Sequence, residues 1–151
     1  ISSFGNQKMK FAALISVFIA SVNCMIDLDV DINGTLTCPT PFYYQLTLKD
    51  KEPWFKPDEV IVEQVKKFSP SNSTFYRITG WGNEMTYWVD NSIELRMYIT
   101  YTCGKYTSYP NEGCLCRDYG DIPDTIVRFQ DTLNVNLANP DMKLFKPCGE
   151  C

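Results

Sequence analysis

Apolar side chains recur at every second position through most of this chain, and a period of two is the mark of a half-buried strand rather than a helix. Ile93, Leu95, Met97, Ile99, Tyr101 and Cys103 form the cleanest run, long enough for a central strand. Ile26, Leu28, Val30, Ile32, Leu36 and Cys38 give another, with Asp27, Asp29 and Asp31 on the wet face and a break expected at Asn33-Gly34. Phe42, Tyr44, Leu46 and Leu48 make a third, and Leu133, Val135 and Leu137 a later one. Residues 74–79 predict a strand that reverses at Gly80. Residues 59–68 read as a short strand or an irregular loop, and residues 104–121 as an aperiodic surface excursion pinned by Cys114 and Cys116. No helical period lasts beyond three turns. The expectation is an all-β antiparallel sandwich of about seven strands. Phe42, Tyr44, Phe75, Tyr101 and Phe129 fall at its core positions.

Residues 9–24, MKFAALISVFIASVNC, have the layout of a secretory signal peptide: a lysine, an apolar run too short to span a bilayer, then small residues. Met9 is the expected start, residues 1–24 upstream sequence and signal peptide, and residues 25–151 one domain. Cleavage after Val22 is the alternative to cleavage after Cys24. Losing Cys24 turns seven cysteines into six, Cys38, Cys103, Cys114, Cys116, Cys148 and Cys151. An even set in an exported domain predicts structural disulfides, with fifteen pairings open. Cys114 and Cys116 are expected to take separate partners. Asn33-Gly34-Thr35 and Asn72-Ser73-Thr74 are sequons beside turn-forming residues, predicted as surface glycan sites. The expected location is extracellular, and no later stretch approaches a transmembrane length.

The chain contains no histidine. That removes Ser-His-Asp and Cys-His triads, the usual base near neutral pH, and any zinc site built on imidazole. Fourteen basic against 18 acidic side chains give a net charge of −4, without the basic footprint that nucleic acids select. Asp29-Val30-Asp31-Ile32-Asn33-Gly34 has the spacing of half a calcium loop, but Thr40 stands where the bidentate glutamate belongs, and alternation along a strand explains the acids. Cys148-Gly149-Glu150-Cys151 has dithiol spacing without the strand-to-helix setting that activates a thiol, and disulfides are preferred to a zinc site on Cys114, Cys116, Cys148 and Cys151. Asp58 with Glu59 and Asp121 with Asp124 are the carboxylate pairs nearest a glycosidase arrangement. No catalytic residue, metal or cofactor is expected. The surplus lies in aromatics off the inferred core: Trp54, Trp81, Trp88 and Tyr98 are the candidate binding contacts, with Tyr106 and Tyr109 beside them.

Ile32-Asn33-Gly34-Thr35-Leu36-Thr37-Cys38 resembles the opening Gly-x-Leu-x-Cys strand of the nematode transthyretin-like family of secreted proteins. Leu46-Thr47-Leu48-Lys49-Asp50 and Thr74-Phe75-Tyr76-Arg77-Ile78-Thr79-Gly80 are similar to its next strands. Ile99-Thr100-Tyr101-Thr102-Cys103 resembles its Ile-x-His-x-Cys signature with Tyr101 at the histidine. Cys116-Arg117, Ile122-Pro123 and Leu133-Asn134-Val135-Asn136-Leu137 resemble its closing elements, so the resemblance runs from about residue 31 to 137. It implies a transthyretin-like sandwich, export, and a role in binding or extracellular signalling. The hydrolase activity of transthyretin's enzymatic relatives is not implied, because it relies on histidines.

The expected function is therefore that of a secreted, non-enzymatic binding or signalling protein. Its expected ligand is an extracellular protein, a lipid or a small apolar molecule. A small secreted hydrolase using carboxylates or a metal is one alternative, and a structural cuticle or matrix component is another.

Overall fold

The computed structural model describes residues 25–52, 56–85, 92–106, 110–123 and 125–151. Ten strands lie among them: β1 (Met25–Thr37), β2 (Phe42–Asp50), β3 (Glu59–Glu63), β4 (Lys67–Ser69), β5 (Ser73–Met85), β6 (Ser92–Tyr101), β7 (Gly113–Pro123), β8 (Arg128–Thr132), β9 (Val135–Asn136) and β10 (Lys146–Pro147). They form two sheets of a disulfide-stapled all-β sandwich. Sheet A has the order β5-β1-β8, with β9 also on β1, and sheet B the order β10-β7-β6-β2-β3, with β4 also on β2.

The alternating runs explain the core directly. Leu28, Val30, Ile32 and Leu36 from β1 face Leu46 and Leu48 from β2 and Leu95, Met97 and Ile99 from β6, all of them buried. Each strand thereby hides one face, and the interior is apolar from both sides. Leu133, Val135, Leu137 and Phe145 close the core from the C-terminal third. The cross-link Cys38–Cys103 joins the residue after β1 to the segment after β6, with Cα atoms 6.0 Å apart. It ties sheet A to sheet B at one end. Cys114–Cys148 and Cys116–Cys151 sew the C-terminal segment, β10 and a short 3-10 turn, onto β7. Cys114 and Cys116 thus take separate partners.

Several expectations are corrected. Ten strands, three of them only two or three residues long, lie among the described residues where about seven were expected, and β8 and β9 run parallel to β1 while the other paired strands are antiparallel. β1 does not break at Asn33-Gly34 but continues to Thr37, because the chain there needs a glycine for contact rather than for a turn. A Cβ at Gly34 would stand 2.0 Å from the Leu133 carbonyl oxygen. β5 likewise runs through Gly80, where a Cβ would come within 2.9 Å of the Ile61 and Val62 side chains. Glycine at 80 thus lets β3 lie close against β5. Tyr76, Ile78 and Gly82 face inward on β5, so Phe75 points to solvent at 67% exposure instead of filling the core. Residues 113–123 are a strand between β6 and β10 and not a surface excursion: alternate positions are occupied by disulfides, which masks the apolar period. The ambiguous residues 59–68 supply β3 and β4, both paired with β2. Phe129 is half-buried, its ring edge-on to Tyr119 at 5.0 Å.

Three tyrosines are held in the interior or its seam. The Tyr76 hydroxyl donates to the Leu133 carbonyl at 2.7 Å. Burial pushes its phenol well above the usual tyrosine range, and the Asp131 carboxylate adds to this. Tyr119 is raised in the same way, chiefly by burial and then by Asp131. Tyr101, packed edge-on against Tyr106 at 5.5 Å, is pushed up to about 12 by burial, with Tyr106 contributing. The fold therefore favours the neutral phenols. Their contribution to stability is complete below the unfolded value of about 10. It is lost as pH rises from there through about 12 for Tyr101 and higher for the other two.

Two outcomes are expected. Thermal midpoints should stay flat between neutral pH and pH ~9.5 and fall steeply above about 10, with a shallower fall in Tyr76→Phe. Replacing Cys38 and Cys103 together by alanine should lower stability by about 4 kcal/mol, read from the guanidinium midpoint, because the pair closes a long loop.

Candidate binding face

Odd-numbered side chains of β1 from Asp27 onward and of β5 as far as Trp81, and even-numbered ones of β8, project from the outer face of sheet A. The register places them in rows across three strands. Trp81, Asp29 and Arg128 make one row; Thr79, Asp31 and Gln130 make the next; Arg77, Asn33 and Thr132 make the third. Side chains directly opposite on neighbouring strands are close enough to interact.

Arg77 reaches diagonally to Asp31 and grips it at both oxygens, Nε to Oδ1 and Nη2 to Oδ2, each at 2.8 Å. This planar two-point contact fixes the guanidinium. It also holds the Asp31 carboxyl below the usual carboxylate range, with partial desolvation opposing and Gln130 and Arg128 helping. Gln130 Nε2 donates to Asp31 Oδ2 at 3.4 Å. Asp29 and Arg128 stand opposite each other, both exposed, and neither forms an ion pair with a described residue. Trp81 is 56% exposed at the end of that row. Together Asp29, Asp31, Arg77, Thr79, Trp81 and Arg128 line a shallow open depression of about 400 Å3.

The outer face of sheet B is different. The two tail disulfides lie on it, and beneath the tail Arg96 is 7% exposed. Its Nη1 donates to the Cys151 carbonyl oxygen, and its Nη2 lies 3.5 Å from Asp118 across the β6-β7 register. Tyr98 sits on this face half-buried, with the Lys49 ammonium 5.2 Å above its ring. Tyr43 and Phe68 pair at 4.8 Å between centroids and both remain exposed.

Trp81 and Tyr98 therefore lie on opposite outer faces and do not share a surface. Trp54, Trp88 and Tyr109 lie outside the described residues, as do the N-terminal residues 1–24. Tyr106, grouped with the off-core aromatics, packs against the core instead. Cys38, Cys103, Cys114, Cys116, Cys148 and Cys151 are all disulfide-bonded. Among the described residues no group of three or more His, Cys, Asp or Glu is placed to hold a metal ion. The calcium-like spacing from Asp29 to Gly34 lies in an extended strand, where Asp29, Asp31 and Asn33 stand in a line along one face rather than around a point, and Asp31 is already held by Arg77. Asp58 Oδ1 accepts from the Glu52 amide at 3.3 Å and serves the loop after β2, and Asp124 lies outside the described residues.

The sequons differ in setting. Asn72 is exposed in the turn between β4 and β5. Asn33 lies mid-strand in β1, half-buried, where its Oδ1 accepts from Thr132 Oγ1 at 3.3 Å.

Sequence reasoning missed Arg77, Thr79 and Arg128 as partners of Trp81. The alternation of Asp27, Asp29 and Asp31 was the available signal, since it marked β1's wet face; only the register adds the neighbouring strands. The fold and this face define a disulfide-stapled β-sandwich that presents a mixed polar and aromatic surface. Compared with protein-family models, curated proteins and solved structures, the chain matches none, so its resemblance to nematode transthyretin-like proteins rests on the motifs alone.

Trp81 contributes little to the core. Trp81→Ala and Arg77→Ala should each change stability by no more than about 1 kcal/mol in denaturant unfolding, as exposed side chains and surface ion pairs do.

Proposed function

We propose that this chain is an exported, non-enzymatic binding protein that acts outside the producing cell, in the manner implied by its resemblance to nematode transthyretin-like proteins. The observation that carries the reading is the pairing of a cross-linked scaffold with exposed aromatics: three disulfides staple two sheets and a tail, while Phe75, Trp81, Tyr43 and Phe68 face solvent. Disulfides of this density belong to oxidising compartments. Large aromatic rings on a rigid sheet suit recognition, because little conformational entropy is lost when a partner covers them. The leader-like residues 9–24 and the sequon in the exposed turn at Asn72 support export through a glycosylating pathway.

The test is intact mass and peptide mapping of protein secreted by a eukaryotic host, before and after reduction. The expected product begins at Met25, gains about 6 Da on full reduction as three disulfides open, and carries glycan at Asn72. Retention inside the cell with free thiols would overturn the reading.

A further inference from the structure

Resting on the proposed extracellular binding role, we infer that the outer face of sheet A is a carbohydrate site that takes a neutral oligosaccharide, with Trp81 as its stacking platform and Asp29 as its principal hydroxyl acceptor.

The argument begins with what the face offers. Trp81 is an exposed indole on a strand, held at the end of a row whose other members are Asp29 and Arg128. A flat aromatic surface attracts the partly positive C–H face of a pyranose through its negative quadrupole, and it does so without asking for charge. Beside it, the Asp29 carboxylate and the Arg128 guanidinium have no ion-pair partner among the described residues. A carboxylate accepts two hydrogen bonds, a guanidinium donates several, and the Thr79 hydroxyl does both. Acceptors and donors interleaved around an aromatic plane match a ligand whose every group both donates and accepts. Vicinal hydroxyls on a sugar ring have that property.

Charge decides against the competing classes. The depression is lined by two carboxylates, Asp29 and Asp31, and two guanidiniums, Arg77 and Arg128. A cation or an anion meets its own sign beside its partner, so neither gains a net field. A neutral polar ligand suffers no such penalty. Asp31 and Arg77 are already locked to each other by two hydrogen bonds, which keeps that wall in one geometry before a ligand arrives and reduces the ordering cost of binding. The volume of about 400 Å3 is that of a small-molecule site, and its open shape suits a segment of a longer glycan rather than an engulfed ligand.

Asn33 lies on the same face, next to the row of Asp31. The test therefore uses protein exported to a bacterial periplasm, where disulfides form and this sequon stays bare. Chitohexaose, cellohexaose, laminarihexaose and mannohexaose are titrated separately, followed by indole fluorescence and by calorimetry. The expected result is binding of at least one of them with a Kd of about 1 mM or tighter. Affinity for it should fall at least about tenfold in Trp81→Ala and in the shape-preserving Asp29→Asn. Val65→Ala, at an exposed apolar side chain between β3 and β4 and outside the depression, should bind as the parent does. No binding of any of the four at ~5 mM would overturn the inference, as would full affinity in Trp81→Ala. A disulfide-bonded, exported protein that ignores all four sugars would sink the carbohydrate site and leave the extracellular binding role standing. Failure of export in the eukaryotic host would sink that role instead.

Discussion

A two-layer sandwich has one weakness, which is that its sheets touch only through side chains. Here the layers interdigitate along β1, β2 and β6, and the covalent link Cys38–Cys103 closes the end where β1 leaves sheet A and the chain beyond β6 leaves sheet B. The link shortens the reach of the unfolded chain and so raises its free energy. Everything on the outer faces depends on this arrangement. Rows of side chains on sheet A hold fixed spacing because the strands beneath them are anchored by Leu28, Val30 and Ile32 on the inside. The exposed face inherits its precision from the buried one.

Most of the core was legible because burial on one side of a strand writes itself into the sequence with period two. Ile93 to Cys103 is such a record, and the even-numbered residues of β1 and β2 are others. The period fails where something other than hydrophobicity occupies the inward or covered positions. On β7, Cys116 is fully buried on the outer side beneath the tail, so two faces are covered and the alternation disappears. On β5, Phe75 and Tyr76 are adjacent aromatics, and it is Tyr76 that lies inside, where its hydroxyl finds the Leu133 carbonyl. Gly80 and Gly34 resemble turn residues in isolation, whereas both serve close contact with a neighbouring segment. Strand direction leaves no trace in the period at all, and the parallel docking of β8 on β1 had no local signal.

The binding face was readable in part for the same reason. Asp27, Asp29 and Asp31 announced a wet face, and Trp81 stood out as a large ring off the core pattern. Their neighbourhood was hidden because it is made by register: β5 brings Arg77 and Trp81, and β8 brings Arg128, from positions about fifty and one hundred residues away in the chain. Residues that act together on a sheet are seldom close in sequence, and a single strand's pattern carries no information about its neighbours.

The two tail disulfides have a further consequence. Cys114 and Cys116 project from the same side of one strand, and Cys148 and Cys151 flank a single 3-10 turn that lies over them. The tail therefore meets its strand as a two-toothed clasp. Beneath it lies Arg96, a buried guanidinium whose Nη1 donates to the Cys151 carbonyl oxygen and whose Nη2 faces Asp118, while its Nε has no partner among the described residues. The two bonds therefore do more than hold the tail: they keep a carbonyl oxygen over a buried cation that is shut off from water, where the loss of an acceptor costs more than it would at the surface.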